Sequence, residues 1–175
     1  YKEHFARMIQ SSHLMGLDVD FDSVTKDIKE LAATLNNQDG YVYYQISRGV
    51  DMVRSHIYQD DLEIERFGYA MPASFPSSAI SAMLCDDDRW GRCNIKSTSL
   101  LGNVLAMNKA KSFGCQEVVM HKDGFMTEAG ASNVFYFNSA GSVRTSSLSE
   151  NILPGITRSI LIEALKDTPY SVKEG

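Results

Sequence analysis

The apolar residues of this chain change their period repeatedly along its length, and that alternation most narrows what it can fold into. From Ser99 to Phe113, Leu100, Leu101, Val104, Leu105 and Met107 recur at helical steps and stop at Gly114, a residue suited to the left-handed turn that ends a helix. Strand-like runs follow at Glu117 to His121 and Ser132 to Phe137, separated by the turn residues Lys122-Asp123-Gly124. Ser139-Ala140-Gly141 and a third strand near Val143 to Thr145 come next. A last helix starts after Pro154-Gly155 and runs to about Lys166, with Ile160, Leu161 and Leu165 on one side.

The first half has the same mixture. A helix over Glu3 to Met15 carries Phe5, Met8, Ile9 and then Ser12 or His13 at helical spacing. A second helix, capped by Asp20 or Asp22, carries Val24, Ile28, Leu31 and Leu35 before Asn36-Asn37 and Asp39-Gly40 end it. Three strand-like runs, Tyr41 to Arg48, Ile64 to Met71 and Ala79 to Leu84, are punctuated by Gly49, Pro72 and Pro76. This half is expected to be a helix pair followed by a small sheet. The class is α+β or α/β, with no internal repeat and no low-complexity linker.

Composition narrows the partners. Of 175 residues, 43% are hydrophobic and 22% charged, an ordinary globular balance for one domain, or one domain and part of a second. The net charge of -5 is spread along the chain, apart from the run Asp86-Asp87-Asp88. There is no basic stripe to neutralise a nucleic-acid backbone, so nucleic acid is not an expected partner. No apolar run approaches the ~20 residues a membrane span needs, and the first residues do not resemble a signal peptide, so a soluble, cytoplasmic protein is expected. Cys85, Cys93 and Cys115 are odd in number and match neither a zinc site nor a disulfide framework, which suits a reducing compartment and no metal.

Four local features could carry chemistry, and each has a plain alternative. Lys96 in Cys93-Asn94-Ile95-Lys96-Ser97 lies between a strand-like run and a helix; most lysines are solvated, but a partly desolvated one can form a Schiff base with a carbonyl. If Arg54-Ser55-His56 is extended, Arg54 and His56 face one side, and their donors suit a carboxylate; two exposed loop residues is the alternative. Glu128 sits in Thr127-Glu128-Ala129-Gly130-Ala131-Ser132-Asn133, a small-residue turn leading into a strand, and would ordinarily be a surface group. Leu153-Pro154-Gly155-Ile156-Thr157-Arg158 opens a helix whose free N-H groups and Thr157 hydroxyl suit a phosphate, or serve only as a helix start. Together, a lysine, an acid, a phosphate cradle and a carboxylate trap are what a pyridoxal-phosphate (PLP) enzyme acting on amino acids requires.

The run from Arg89 to Ser97, continued by Leu100-Leu101-Gly102-Asn103-Val104-Leu105-Ala106, resembles the cofactor-lysine segment of fold-type IV PLP aminotransferases. Thr127-Glu128 with Ser132-Asn133-Val134-Phe135, and Ile152 to Arg158, resemble the two segments that follow it there, and Glu3 to Met8 resembles an early helix. The resemblance implies a small α/β domain, here 1–90, followed by a larger, mixed, β-barrel-like domain, here 91–175, with the chain starting and stopping inside the family's fold. By that resemblance, the opening strands with their substrate-binding tyrosine and a later threonine- and serine-rich loop are expected to lie outside this sequence.

By resemblance, Lys96 carries PLP and Glu128 pairs with the pyridine nitrogen. Arg7, the Ile156 backbone and the Thr157 hydroxyl hold the phosphate, and Leu153 packs on the ring. Ala129-Gly130-Ala131 departs from the glycine- and serine-rich triplet expected after the glutamate. Arg54-Ser55-His56, downstream of Tyr44 to Gly49, resembles the carboxylate trap of the D-amino acid enzymes, which reaches into the neighbouring subunit's site of a homodimer. The implied reaction is transamination between a D-amino acid such as D-alanine and a 2-oxo acid. Branched-chain L-amino acid aminotransferases, aminodeoxychorismate lyases and a noncatalytic relative are the alternatives.

Overall fold

One capping aspartate and two left-handed asparagines set the limits of the helix that backs the first sheet. In the computed structural model, which describes residues 1–74 and 78–175, α1 spans Lys2–Leu14 and α2 spans Phe21–Ala33. Asp20 is the cap: its Oδ1 accepts from the N-H groups of Asp22 and Ser23 at 3.0 and 3.3 Å. Asn36 and Asn37 follow the helix at φ 49° and 64°, the region asparagine tolerates best among residues with side chains. Pro76, expected to break a strand, lies outside the described residues.

The chain divides into two compact units, the described part of residues 4–77 with Lys2, and Ser78–Gly175 with Tyr1 and Glu3. In the first, β1 (Gly40–Ser47) and β2 (Glu65–Pro72) form an antiparallel pair in unbroken register. Its inner face meets α2 at Gly68, where a Cβ would stand 2.9 Å from Leu31 Cδ1 and 2.7 Å from Tyr44 Cδ2. Tyr44 donates to Asp27 Oδ2 at 2.5 Å, and Asp27 also pairs with Arg66 at 3.2 Å. Burial, together with Asp27, pushes the Tyr44 hydroxyl up to about 12.

In the second unit, β3 (Ala82–Asp86) runs parallel to β4 (Glu117–Lys122), with α3 (Leu101–Ser112) between them in sequence. The strand expected over Ala79 to Leu84 is thus displaced toward Asp86, and it pairs with β4 rather than completing a sheet with β1 and β2. Ala110, Val118 and Met120 are fully buried, with Met83, Cys85, Ala106, Met107 and Cys115 against them. The small residues Ala106 and Ala110 let the helix approach β4 closely. The stripe of Leu101, Val104 and Leu105 lies on the other side and is 55%, 51% and 60% exposed, so of the expected helical face only Met107 joins this core.

Lys122-Asp123-Gly124 does form a tight turn, with Asp123 and Gly124 at φ 52° and 83°. It leads into β5 (Phe125–Ala129), antiparallel to β4, and not directly to the expected strand at Ser132. That later strand shrinks to β6 (Phe135–Phe137), which pairs with β7 (Val143–Thr145), and β7 in turn pairs with β8 (Lys173–Glu174). Between them in sequence comes α4 (Ile156–Leu165), fastened by the buried Arg158, which donates to Ser146 O at 2.9 Å and pairs with Glu174. No helix among the described residues is long and apolar enough to cross a membrane.

Met120, on β4 of the site-bearing hairpin, is the largest fully buried side chain among the described residues. Met120→Ala is expected to lower unfolding free energy by roughly 2–5 kcal/mol. In a urea titration this should appear as a lower midpoint with an unchanged slope.

Candidate active site

The β4–β5 pair does not stay in register. Val119 faces Ala129, but His121 faces Met126, so both Thr127 and Glu128 stand opposite Met120. This bulge interrupts the alternation of a regular strand and lets two neighbouring residues both be buried and both reach one charged cluster. The expected turn at Thr127 to Ala129 is therefore a strand, and Glu128 is buried rather than a surface group.

The cluster centres on Arg89, just beyond β3. Its Nε donates to Asp87 Oδ1 at 2.9 Å and its Nη2 to Asp87 Oδ2 at 2.8 Å, a two-pronged grip, while Nη1 donates to Glu128 Oε2 at 2.8 Å. Nη2 also donates to Asn151 O at 3.0 Å. The Thr127 hydroxyl lies 2.6 Å from Asp87 Oδ2. Side-chain exposures are only 3% for Asp87, 6% for Arg89 and 7% for Glu128. Gly102, in the first turn of α3, leaves room for the Arg89 stem; a Cβ there would lie 2.8 Å from Arg89 Cγ.

Glu128 is held from its other side as well. Oε1 accepts from the Leu153 N-H at 2.6 Å and from Asn133 Nδ2 at 3.0 Å, and the same Asn133 amide donates to Leu153 O at 2.9 Å. The Asn133 side chain also packs on Gly155, the residue before α4, where a Cβ would fall 2.0 Å from Asn133 Oδ1. Glu128, Leu153 and the start of α4 are thereby joined through one amide. No side chain caps α4 at Gly155, so the N-H groups of its first turn point outward from Ile156 and Thr157. Ile156 and Leu153 are half-buried, and Thr157 is exposed.

Electrostatics follow the contacts. Burial alone would push Asp87 up, but donors from Arg89 and Thr127 outweigh it and hold the carboxyl below its ordinary value. For Glu128, burial wins and raises the carboxyl, against the pull of Arg89 and the Leu153 N-H. Burial would lower Arg89, but its two carboxylate partners raise it, so it stays charged. Burial pushes the Cys93 thiol up, which argues against a nucleophilic role.

Lys96 lies in the irregular segment between β3 and α3, as expected, and is exposed. That segment is tied at Cys93, whose N-H donates to Glu150 O at 2.6 Å, next to the Asn151 carbonyl that Arg89 grips. Arg7, Arg54 and His56 belong to the other unit. Arg7 is half-buried on α1, where burial lowers its pKa.

Arg54 and His56 are exposed on an irregular stretch with bends at 52–53 and 56–57, so the extended geometry that would turn them to one side is not present. Asp51 Oδ1 accepts from the Val53 N-H, and Ser55 Oγ from the Ile57 N-H, both at 3.0 Å; these local bonds bend the chain. Arg89 and Asn133 lie inside motifs singled out by sequence, and Asp87 in the acidic run, but sequence alone assigns none of the three a role. The available signal was the Asp-x-Arg spacing at the end of β3, hidden in a run that looks like a solvated acidic face.

The family model for amino-transferase class IV matches residues 1–175, and the chain belongs to that family. A D-alanine aminotransferase of Listeria innocua is 35% identical over 182 aligned residues, covering 99% of this chain and 63% of its own length. The chain thus spans a little under two-thirds of the curated relatives it matches. Two solved structures share the fold at 22% identity: the branched-chain amino acid aminotransferase of Escherichia coli, with a TM-score of 0.80 over 98% of this chain and 60% of its own, and that of Thermobaculum terrenum in its PLP form, with a TM-score of 0.79 over 98% and 59%.

The depressed Asp87 carboxyl has a stability consequence. A carboxyl held below its unfolded value of about 3.8 stabilises the fold above that pH, and the contribution disappears as pH falls through the folded value. Asp87→Asn should therefore be less stable than the parent near neutral pH, and the gap should narrow as acid is added. Denaturation midpoints measured from about pH 7 to about pH 3 test this; a gap independent of pH would count against it.

Proposed function

We propose that the chain is part of a PLP-dependent aminotransferase acting on D-amino acids, D-alanine among them, with a 2-oxo acid as the second substrate. The observation that carries this is Glu128, a buried carboxylate met by donors at both oxygens and seated beside the start of α4 in a class IV aminotransferase chain. The D-alanine aminotransferase relatives support the substrate class.

The residues present fit PLP. Among the described residues Arg89, Asn133 and Leu153 donate to Glu128, whose carboxylate has roughly four acceptor directions, so that one suits a protonated ring nitrogen. Gly155 gives the close approach at the start of α4, and the outward N-H groups there suit a phosphate, assisted by the Thr157 hydroxyl. Leu153, clamped through its backbone to Glu128, is the residue to pack on the ring. Arg7 is proposed to add its charge to the phosphate. When bound, PLP supplies an electrophilic carbonyl carbon and an electron-withdrawing ring.

Within this reading Lys96 Nζ would hold the cofactor and would act as the base that takes the proton from the carbon bearing the substrate amine and returns it later in the cycle. Glu128 holds the proton at the ring nitrogen throughout. Arg54 and His56 bind the substrate carboxylate and so select the enantiomer whose hydrogen faces Lys96. The three unpaired cysteines suit a cytoplasmic setting, and a homodimer is the assembly in which a trap of this kind serves a neighbouring site.

With PLP added to the complete protein, a band near the visible edge is expected, changing with D-alanine and not with L-leucine. The reverse preference would select a branched-chain enzyme, and no band would select a noncatalytic relative. Lys96→Ala should lose both the band and transamination. Arg54→Ala should keep the band while kcat/KM for D-alanine falls about tenfold or more, the scale of one charge-assisted hydrogen bond.

A further inference from the structure

Glu128 could not aim itself. Its Oε1 is fixed by Leu153 and Asn133, whereas Oε2, where an acceptor direction remains, is oriented by Arg89. Arg89 is itself immobilised by the two-pronged grip of Asp87, by Asn151 O and by the close approach of Gly102 to its stem. The fork is essential to this arrangement: one prong pair spans Asp87 while the remaining nitrogen reaches Glu128, which the single ammonium of a lysine does not reproduce.

Charge adds a second argument. Two carboxylates against one guanidinium leave the buried cluster with a net charge of -1, the complement of one pyridinium. An arginine facing Glu128 without Asp87 would neutralise it and weaken its hold on a ring proton. The charged and titratable groups that act on Glu128 are Arg89 and Asp87, with the Cys93 thiol nearby.

We propose that Arg89 is a positioning residue of the reaction: tempered by Asp87, it holds Glu128 in place and aims its one remaining acceptor direction at the cofactor ring nitrogen. The proposal rests on the assignment of Glu128 as the ring-nitrogen partner. Arg89 touches neither substrate nor cofactor in this scheme and acts through Glu128.

The test compares the complete protein with Arg89→Met, Arg89→Lys and, as reference, Glu128→Gln. The readouts are PLP dissociation by absorbance, the pH titration of the visible band, and kcat and KM for the amino donor. Arg89→Met should weaken PLP binding about tenfold or more. It should also shift the band's titration in the same direction as Glu128→Gln and lower kcat with little change in KM. Arg89→Lys should recover part of each effect. A folded Arg89→Met protein with the parent's titration and PLP affinity overturns the proposal.

If Arg89→Met does not fold, Gly102→Ala carries the test, because its methyl displaces the Arg89 stem without removing the charge. An unmoved band titration in that variant overturns the proposal equally. Absence of any band in the parent defeats the cofactor reading and this one with it. A normal parent band with an unchanged Arg89→Met band defeats this one alone.

Discussion

A guanidinium shared between two buried carboxylates is the interaction on which the second unit's site depends. Removing one member of such a set leaves an uncompensated charge in a desolvated place, a loss on the order of 3–5 kcal/mol. Asp87 directly follows β3, Glu128 belongs to β5, and Asn151 lies in the segment before α4, so the one side chain of Arg89 ties together three stretches far apart in sequence. The amide of Asn133 does the same at shorter range, joining β5 to the start of α4. Buried polar networks specify geometry when every member is satisfied, and here that geometry converges on a single carboxylate.

The core beneath is small and apolar, and it has a different task. Met120 and Val118 alternate inward along β4 and fix the strand against α3, giving the hairpin a rigid floor. Above that floor, the polar cluster decides where Glu128 points. Apolar packing is tolerant of shape within limits, whereas a two-pronged ion pair is tolerant of very little, so the orientation of the site comes from the charges rather than from the core.

Much of this was legible in the sequence where local rules act. The cap at Asp20, the asparagine stop after α2, the turn at Asp123-Gly124 and the start of α4 after Gly155 each follow from residue types acting on their own backbone. Lys96, Glu128 and the Leu153 to Thr157 segment stood out because they occur together in a familiar order. What could not be read are the features set by distant neighbours. β5 looks like a turn because its small and polar residues are buried by charges contributed from the segment just after β3, and the apolar stripe of α3 looks like a core face because a helix carries no label for which side meets a sheet. Arg89 resembles any surface arginine until Asp87, 40 residues before Thr127, is brought against the hairpin by the β3–β4 pairing.

The bulge in β5 has one further implication. Thr127 and Glu128 share the place of a single residue across from Met120, so the inward direction of Glu128 depends on how many residues lie between Met126 and Ala129 and not only on which they are. A chain one residue shorter there, having lost Thr127, would restore regular alternation and change the direction of the carboxylate. Length in this hairpin is thus as much a part of the chemistry as identity, and descendants of this sequence are freer to change letters around Glu128 than to gain or lose one.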